Sequence, residues 1–266
     1  DKKLFVRPIE IARAAISLLK FEPILKTHLQ SHSSQQLTLN YQKVIEELYK
    51  LPLLLKLMSV CPLPDQELEQ LLSTLRANIL FSISSVTASP KLLKFQSALA
   101  LQCFTNEYIY NQTEPEGQNI EVLESNVKQA LRNRLQPRPQ DILCLASYQA
   151  LNKFEWYDLL TTNADIEDVF NRQVIEPKQE EIIKTSIPIL GRVTDEISLK
   201  VQEQYEVSPY PRWVDMDLRL KPGLVSELIH ELKLKLVNPS TSNVKFPKIL
   251  VAGCGTGQHS IWTSTR

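Results

Sequence analysis

Apolar residues recur along most of this chain with the three-to-four-residue spacing of helices. After Pro8, the residues Ile11, Ala14, Ala15, Leu18 and Leu19 form one stripe, which predicts a helix with proline in its first turn. A second apolar run extends from Val44 to Met58 through Leu48, Leu51, Leu54 and Leu55. Pro52 should kink or divide it, because proline lacks an N–H and its ring clashes with the preceding turn. Asp65 reads as the cap of a third helix carrying Leu68, Leu71, Leu72, Leu75 and Ile79. Ser89-Pro90 is another start signal, opening a helix from Leu92 to Tyr110. The polar stretch from Asn111 to Asn119, with Pro115 and Gly117, reads as a loop. Helices are expected again over Ile120 to Leu135, Pro139 to Leu151 and Glu176 to Lys184, and a further one, capped by Thr194, runs to about Tyr205. The aromatic residues from Phe154 to Leu160, Trp156 and Tyr157 among them, read as packing between helix ends in preference to a ligand platform.

Beyond Tyr205 the pattern changes. Pro209 and Pro211 forbid helix and sheet interior, so Tyr210, Arg212 and Trp213 are carried on a stiff, extended segment. Two readings stand for this trio. The rings and the guanidinium could stack on a cofactor or bind a carboxylate, or Trp213 could pack a rigid linker onto the next domain. A helix from Gly223 to Val237 follows, with Leu224, Leu228, Leu232 and Leu236 on one face, and then a loop from Asn238 to Asn243. Last comes the β-prone run Lys248 to Ala252, expected to be a strand, leading into Gly253-Cys254-Gly255-Thr256-Gly257 and a helix start at Gln258. The fold expected is therefore mainly α. Residues 1–200 form an all-helical domain, 201–243 a proline-aromatic connector and helix, and 244–266 the first β-α element of a Rossmann-like α/β domain.

Composition narrows the function classes. Thirty basic residues face thirty acidic ones, so no net field recruits nucleic acid or an anionic membrane. No apolar run reaches the roughly 20 residues that span a bilayer, and no signal peptide is visible. Cys61, Cys103, Cys144 and Cys254 are scattered without a C-x-x-C pair, which reads as reduced, mostly buried thiols in a cytoplasmic setting. His28 and His32 lie four apart but have no acidic or cysteine companion, and read as a solvated helix end with no metal site. Helical hairpins about 40 residues apart suggest a stacked array, although no repeat consensus emerges.

The glycine run carries the chemistry. Three of the chain's six glycines fall between residues 253 and 257. No Lys-Ser or Lys-Thr closes the loop, which excludes a P-loop, and the G-x-G-x-G spacing fits a dinucleotide site less well than G-x-G-x-x-G would. The run from Leu250 to Ser260, taken with Pro209-Tyr210-Pro211-Arg212-Trp213, resembles a bacterial family of class I S-adenosylmethionine-dependent methyltransferases. Members have helical N-terminal regions, often described as tetratricopeptide repeats. The resemblance extends through Pro188, Thr194 and Gln204-Tyr205, and more loosely to Leu101 through Tyr108. It implies that Gly253, Cys254, Gly255, Thr256, Gly257 and Gln258 face S-adenosylmethionine, with Cys254 and Thr256 contributing mainly backbone. Tyr210, Arg212 and Trp213 would support the site. The wider superfamily usually has an acidic residue two positions before the first glycine, where this chain has Val251. The ribose-gripping acidic residue, the adenine contacts and the catalytic residues of such an enzyme come later in the chain. The expectation is an N-terminal part of a methyltransferase, itself inactive, whose methyl acceptor and catalytic residues these positions do not reveal. The competing class is a helical scaffold that recruits a protein or peptide partner without catalysis.

Overall fold

The computed structural model describes residues 8–30, 40–188, 191, 194–207, 214, 223–231, 233–244 and 248–264. The chain divides into two compact units, Pro8–Arg192 and one comprising Val193–Arg266. The first unit is mainly helical, without strands, among its described residues. Its elements are α1 (Pro8–Leu19), α2 (Pro23–Gln30), α3 (Tyr41–Leu48), α4 (Pro52–Val60), α5 (Gln66–Ser82), α6 (Pro90–Thr105), α7 (Glu114–Arg132), α8 (Pro139–Ala146), α9 (Glu167–Phe170) and α10 (Glu176–Ser186). Single 3-10 turns lie at Leu151–Lys153 and Tyr157–Leu159, and a π turn at Asn171–Ile175 joins α9 to α10.

Helix α6 is the axis of this unit. It packs against α3, α4, α8 and α9, and twelve of its residues are buried, from Leu92 through Thr105. A helix buried almost all round lies inside a core, which α6 shares with Leu54, Leu68, Leu75, Ile142 and Leu145. Local chemistry sets many boundaries. Pro52 separates α3 from α4 as expected. The Asp65 carboxylate accepts from Leu68 N–H at 3.1 Å and the Ser89 hydroxyl from Leu92 N–H at 3.3 Å, each satisfying a donor that a helix start leaves unpaired. Phe154 and Trp156 are buried and stacked at 4.8 Å, which is the packing role expected of that cluster.

Several expectations for these units need correction. α6 ends at Thr105, not Tyr110, because Glu107 and Tyr108 adopt φ of +60° and +56° and Tyr108 N–H closes back onto Cys103 O at 2.8 Å. The stretch 111–119 is not all loop. Thr113 and Glu116 form a reciprocal capping box, and α7 starts at Glu114 with Pro115 in its first turn. His28 is buried, not solvated, and its Nε2 lies 2.7 Å from Glu47 Oε2, tying α2 to α3; His32 lies outside the described residues. The helix before Tyr205, α11 (Glu196–Val207), is capped by Asp195 and not Thr194, since the Asp195 carboxylate accepts from Ser198 N–H at 2.8 Å.

Buried glutamines tie the helices together. Gln173, fully buried in the π turn, donates to Ala100 O at 3.3 Å and Ala146 O at 3.1 Å and accepts from Leu151 N–H at 3.0 Å. Gln140 accepts from Ala88 N–H at 2.7 Å and donates to Val86 O at 2.6 Å and Ile83 O at 3.2 Å. Gln102, with its amide in the satisfied orientation, donates to Met58 O and Cys61 O and accepts from Leu63 N–H. Most of the groups these amides serve lie where helices end, and such groups are costly to leave unpaired inside a core.

The second unit contains α11, α12 (Val225–Glu231), a 3-10 turn at Pro239–Asn243 and α13 (Gln258–Ser264). α12 is shorter than the expected span to Val237, because Lys233 turns at φ +52° and Leu234 N–H closes on Ile229 O at 3.0 Å. No strand occurs among the described residues, so the β-α element expected at Lys248 to Ala252 is not formed. A strand exists by virtue of a ladder partner, and no other extended segment among the described residues supplies one. Ile249 and Leu250 are accordingly 58% and 92% exposed.

Candidate functional site

The glycine run has a defined shape despite the missing strand. Gly253, Gly255 and Gly257 adopt φ of +69°, +53° and +79°, while Cys254 and Thr256 between them do not enter the positive-φ region. This left-handed region is one that L side chains resist, since Cβ would crowd the next carbonyl oxygen. Space is not the constraint. A Cβ added at Gly253 would meet nothing within 4 Å, and one at Gly257 would lie 3.9 Å from Ile261 Cδ1. Backbone conformation is therefore what requires glycine at these positions. Gly257 N–H donates to Cys254 O at 3.0 Å to close the turn, and Ile261 N–H donates to Gly257 O at 2.9 Å to begin α13.

Left-handed glycines at every second position fold this stretch into a tight turn whose backbone is little shielded by side chains. Thr256, Gly257 and Gln258 are partly covered, whereas Gly253, Cys254 and Gly255 are exposed. The Cys254 thiol points along its own loop, with Sγ 3.8 Å from Gly255 O. Of the residues expected at the site, Gly253 through Gln258 thus form one continuous turn. Tyr210, Arg212 and Trp213 lie outside the described residues.

The first unit holds a second polar constellation, which sequence reasoning missed. Arg76, 2% exposed on α5, donates through Nη2 to Asn111 O at 2.7 Å and through Nη1 to Ser147 O at 3.5 Å. Nη2 also lies 3.6 Å from Glu116 Oε1, and the guanidinium sits over the rings of Tyr148, at 4.1 Å, and Tyr110, at 5.8 Å. Glu116 accepts from Thr113 N–H and Oγ1, both at 2.8 Å, and from the Tyr148 hydroxyl at 2.7 Å. Burial alone would raise the Glu116 carboxyl. The bonds from Thr113 and Tyr148, together with the Arg76 charge, outweigh that and hold it below its ordinary value.

Burial likewise pushes the Tyr110 and Tyr148 hydroxyls well above the usual range. It raises Cys103 to about 12, against the opposing pull of Arg76, and Cys61 to about 11. Such thiols stay protonated and unreactive. A legible signal existed, because Arg76 shares an apolar helical face with Leu72, Leu75 and Ile79. Groups of three or more His, Cys, Asp or Glu side chains able to hold a metal do not occur among the described residues, nor does a helix long and apolar enough to cross a membrane. Comparison with protein-family profiles, with curated proteins and with solved structures found no match to this chain.

Proposed function

We propose that the Gly253–Gln258 turn is the cofactor-facing loop of an S-adenosylmethionine-dependent methyltransferase. The observation that supports this is the left-handed conformation at all three alternate glycines immediately before a helix start. Such a turn brings backbone N–H groups, unshielded by side chains, against an anionic moiety such as the carboxylate of the methionine half. Val251 offers no acidic group at the position where the wider superfamily places one, so the amino group is held by other residues. The turn itself presents no acid to a ribose, so in this reading other residues bind the nucleoside half. Methyl transfer needs chiefly an in-line alignment of acceptor and sulfonium methyl, because the cofactor carries the reactive group. Tyr210, Arg212 and Trp213 are the proposed supporting residues.

Titration calorimetry with S-adenosylmethionine tests this reading. The 266 residues alone should give no measurable binding heat. The complete gene product should bind one equivalent, and Gly255→Val should abolish that binding while leaving the melt of the helical unit unchanged. A complete product that binds no cofactor, or binds it equally well as Gly255→Val, overturns the assignment.

A further inference from the structure

A small void lies where α3, α5 and α6 meet α8, with Tyr41, Ser82, Val86, Leu92, Gln96 and Gln140 in its wall. Gln96 is the part of that wall in need of a partner. The side chain is 2% exposed, its Nε2 donates to Gln140 O at 3.2 Å, and its Oε1 has no hydrogen-bond partner. Burying an amide oxygen without a donor costs free energy, and the apolar neighbours Ile79, Ile83 and Leu92 have none to offer from their side chains.

The other polar groups of the wall decide what can serve it. Gln140 commits its side-chain N–H groups to Val86 O at 2.6 Å and Ile83 O at 3.2 Å. The Ser82 hydroxyl donates to Asn78 O at 2.7 Å, so in the 2.5 Å contact between Tyr41 Oη and Ser82 Oγ the tyrosine is the donor. Both hydroxyl hydrogens are therefore committed, while Tyr41 Oη keeps lone pairs to accept with. Such a wall suits a small neutral molecule that donates twice, which is what water does; a cation would be buried there without a counter-charge. Size agrees. The void gives the centre of a water molecule about 10 Å³, room for one. The adjoining void, which shares Ile79 and Gln96 and reaches Arg76 and Ser147, gives it none.

We propose that this void is a binding site for one internal water, which donates to Gln96 Oε1 and to Tyr41 Oη and so ties α6 to α3. Internal waters of this kind complete the hydrogen bonding of buried polar groups and are costly to remove. This assignment is independent of the glycine run. Oxygen-17 magnetic relaxation dispersion tests it, because the method counts long-lived waters and is blind to exchanging hydroxyl protons. Gln96→Met keeps the length of the side chain and removes the acceptor, so the dispersion amplitude should fall by one water relative to the unsubstituted protein. A high-resolution crystal structure of the unsubstituted protein is the second measurement, and it serves even where Gln96→Met does not fold. It should show a solvent peak within hydrogen-bond distance of both Gln96 Oε1 and Tyr41 Oη. An unchanged amplitude in folded Gln96→Met, or a void without that peak, overturns the proposal.

Discussion

Replacing Arg76 by methionine removes one charge from a closed polar network while keeping the length of the side chain. The substitution deletes the charge-assisted bond to Asn111 O and leaves the Glu116 carboxylate, 3% exposed, without its cation. Breaking a buried ion pair from one side costs about 3–5 kcal/mol. Here Glu116 keeps three hydrogen bonds, from Thr113 N–H, Thr113 Oγ1 and the Tyr148 hydroxyl, so the lower end applies. A loss of about 3 kcal/mol in a unit of this size lowers Tm by about 6–12 °C. The double variant Arg76→Met/Glu116→Gln removes both charges and retains an amide for the capping box. It should therefore be more stable than Arg76→Met by at least about 1 kcal/mol. Urea unfolding followed by circular dichroism and by tryptophan fluorescence measures both values and tests whether the transition is two-state. A loss below about 1 kcal/mol for Arg76→Met, or a double variant no better than the single, would show that the network contributes packing and not charge pairing.

Other outcomes follow from the same geometry. Glu116 has a folded pKa below its ordinary value of 4.5, so its contribution is present above the unfolded value and fades as pH falls through the folded one. Tm should drop on acidification below about pH 4.5, and Glu116→Gln should flatten the part of that drop which belongs to this carboxyl. Gln173→Leu leaves Leu151 N–H unpaired in the core and removes one of the donors to Ala146 O, and should cost about 2 kcal/mol, with faster amide exchange at Leu151. Of the four cysteines, Cys254 is exposed and Cys61, Cys103 and Cys144 are buried. Ellman's reagent should thus titrate one fast thiol in the native protein and four in urea, and Cys254→Ser should abolish the fast phase. Thr113→Ala breaks the capping box of α7 and should cost about 1 kcal/mol by thermal melting.

What could be read from the chain was governed by range. Asp65, Pro52 and Ser89-Pro90 act on residues three or four positions away, and the structure places each where local pattern puts it. The end of α6 was not legible, because its helical periodicity continues past Thr105. There the pattern loses to contacts made with distant elements. Tyr108 bonds to Ala146, and Tyr110 is covered by Arg76 from α5. His28 was misread for the same reason, since its partner Glu47 lies 19 residues on, in a different helix. The buried glutamines were invisible individually. Gln is ordinarily a surface residue, and only the tertiary arrangement reveals which leftover backbone groups it must serve.

The strand and the glycine turn at the end of the chain separate on physical grounds. A turn whose shape rests on left-handed glycines is specified by the residues in and next to it, as in the Gly257 N–H to Cys254 O bond that closes it. A strand is specified by its neighbours. Lys248 to Ala252 has the composition of one, yet Leu250 is 92% exposed and no ladder forms among the described residues. If the turn serves a cofactor, its shape is already set before a sheet forms behind it, and a sheet would contribute rigidity and the remaining contacts. Gly253→Ala in the 266 residues should then disturb amide shifts within the turn and at the start of α13 without altering the exposed Ile249-Leu250 segment. Coupled changes in both would mean that the turn depends on the apolar run after all.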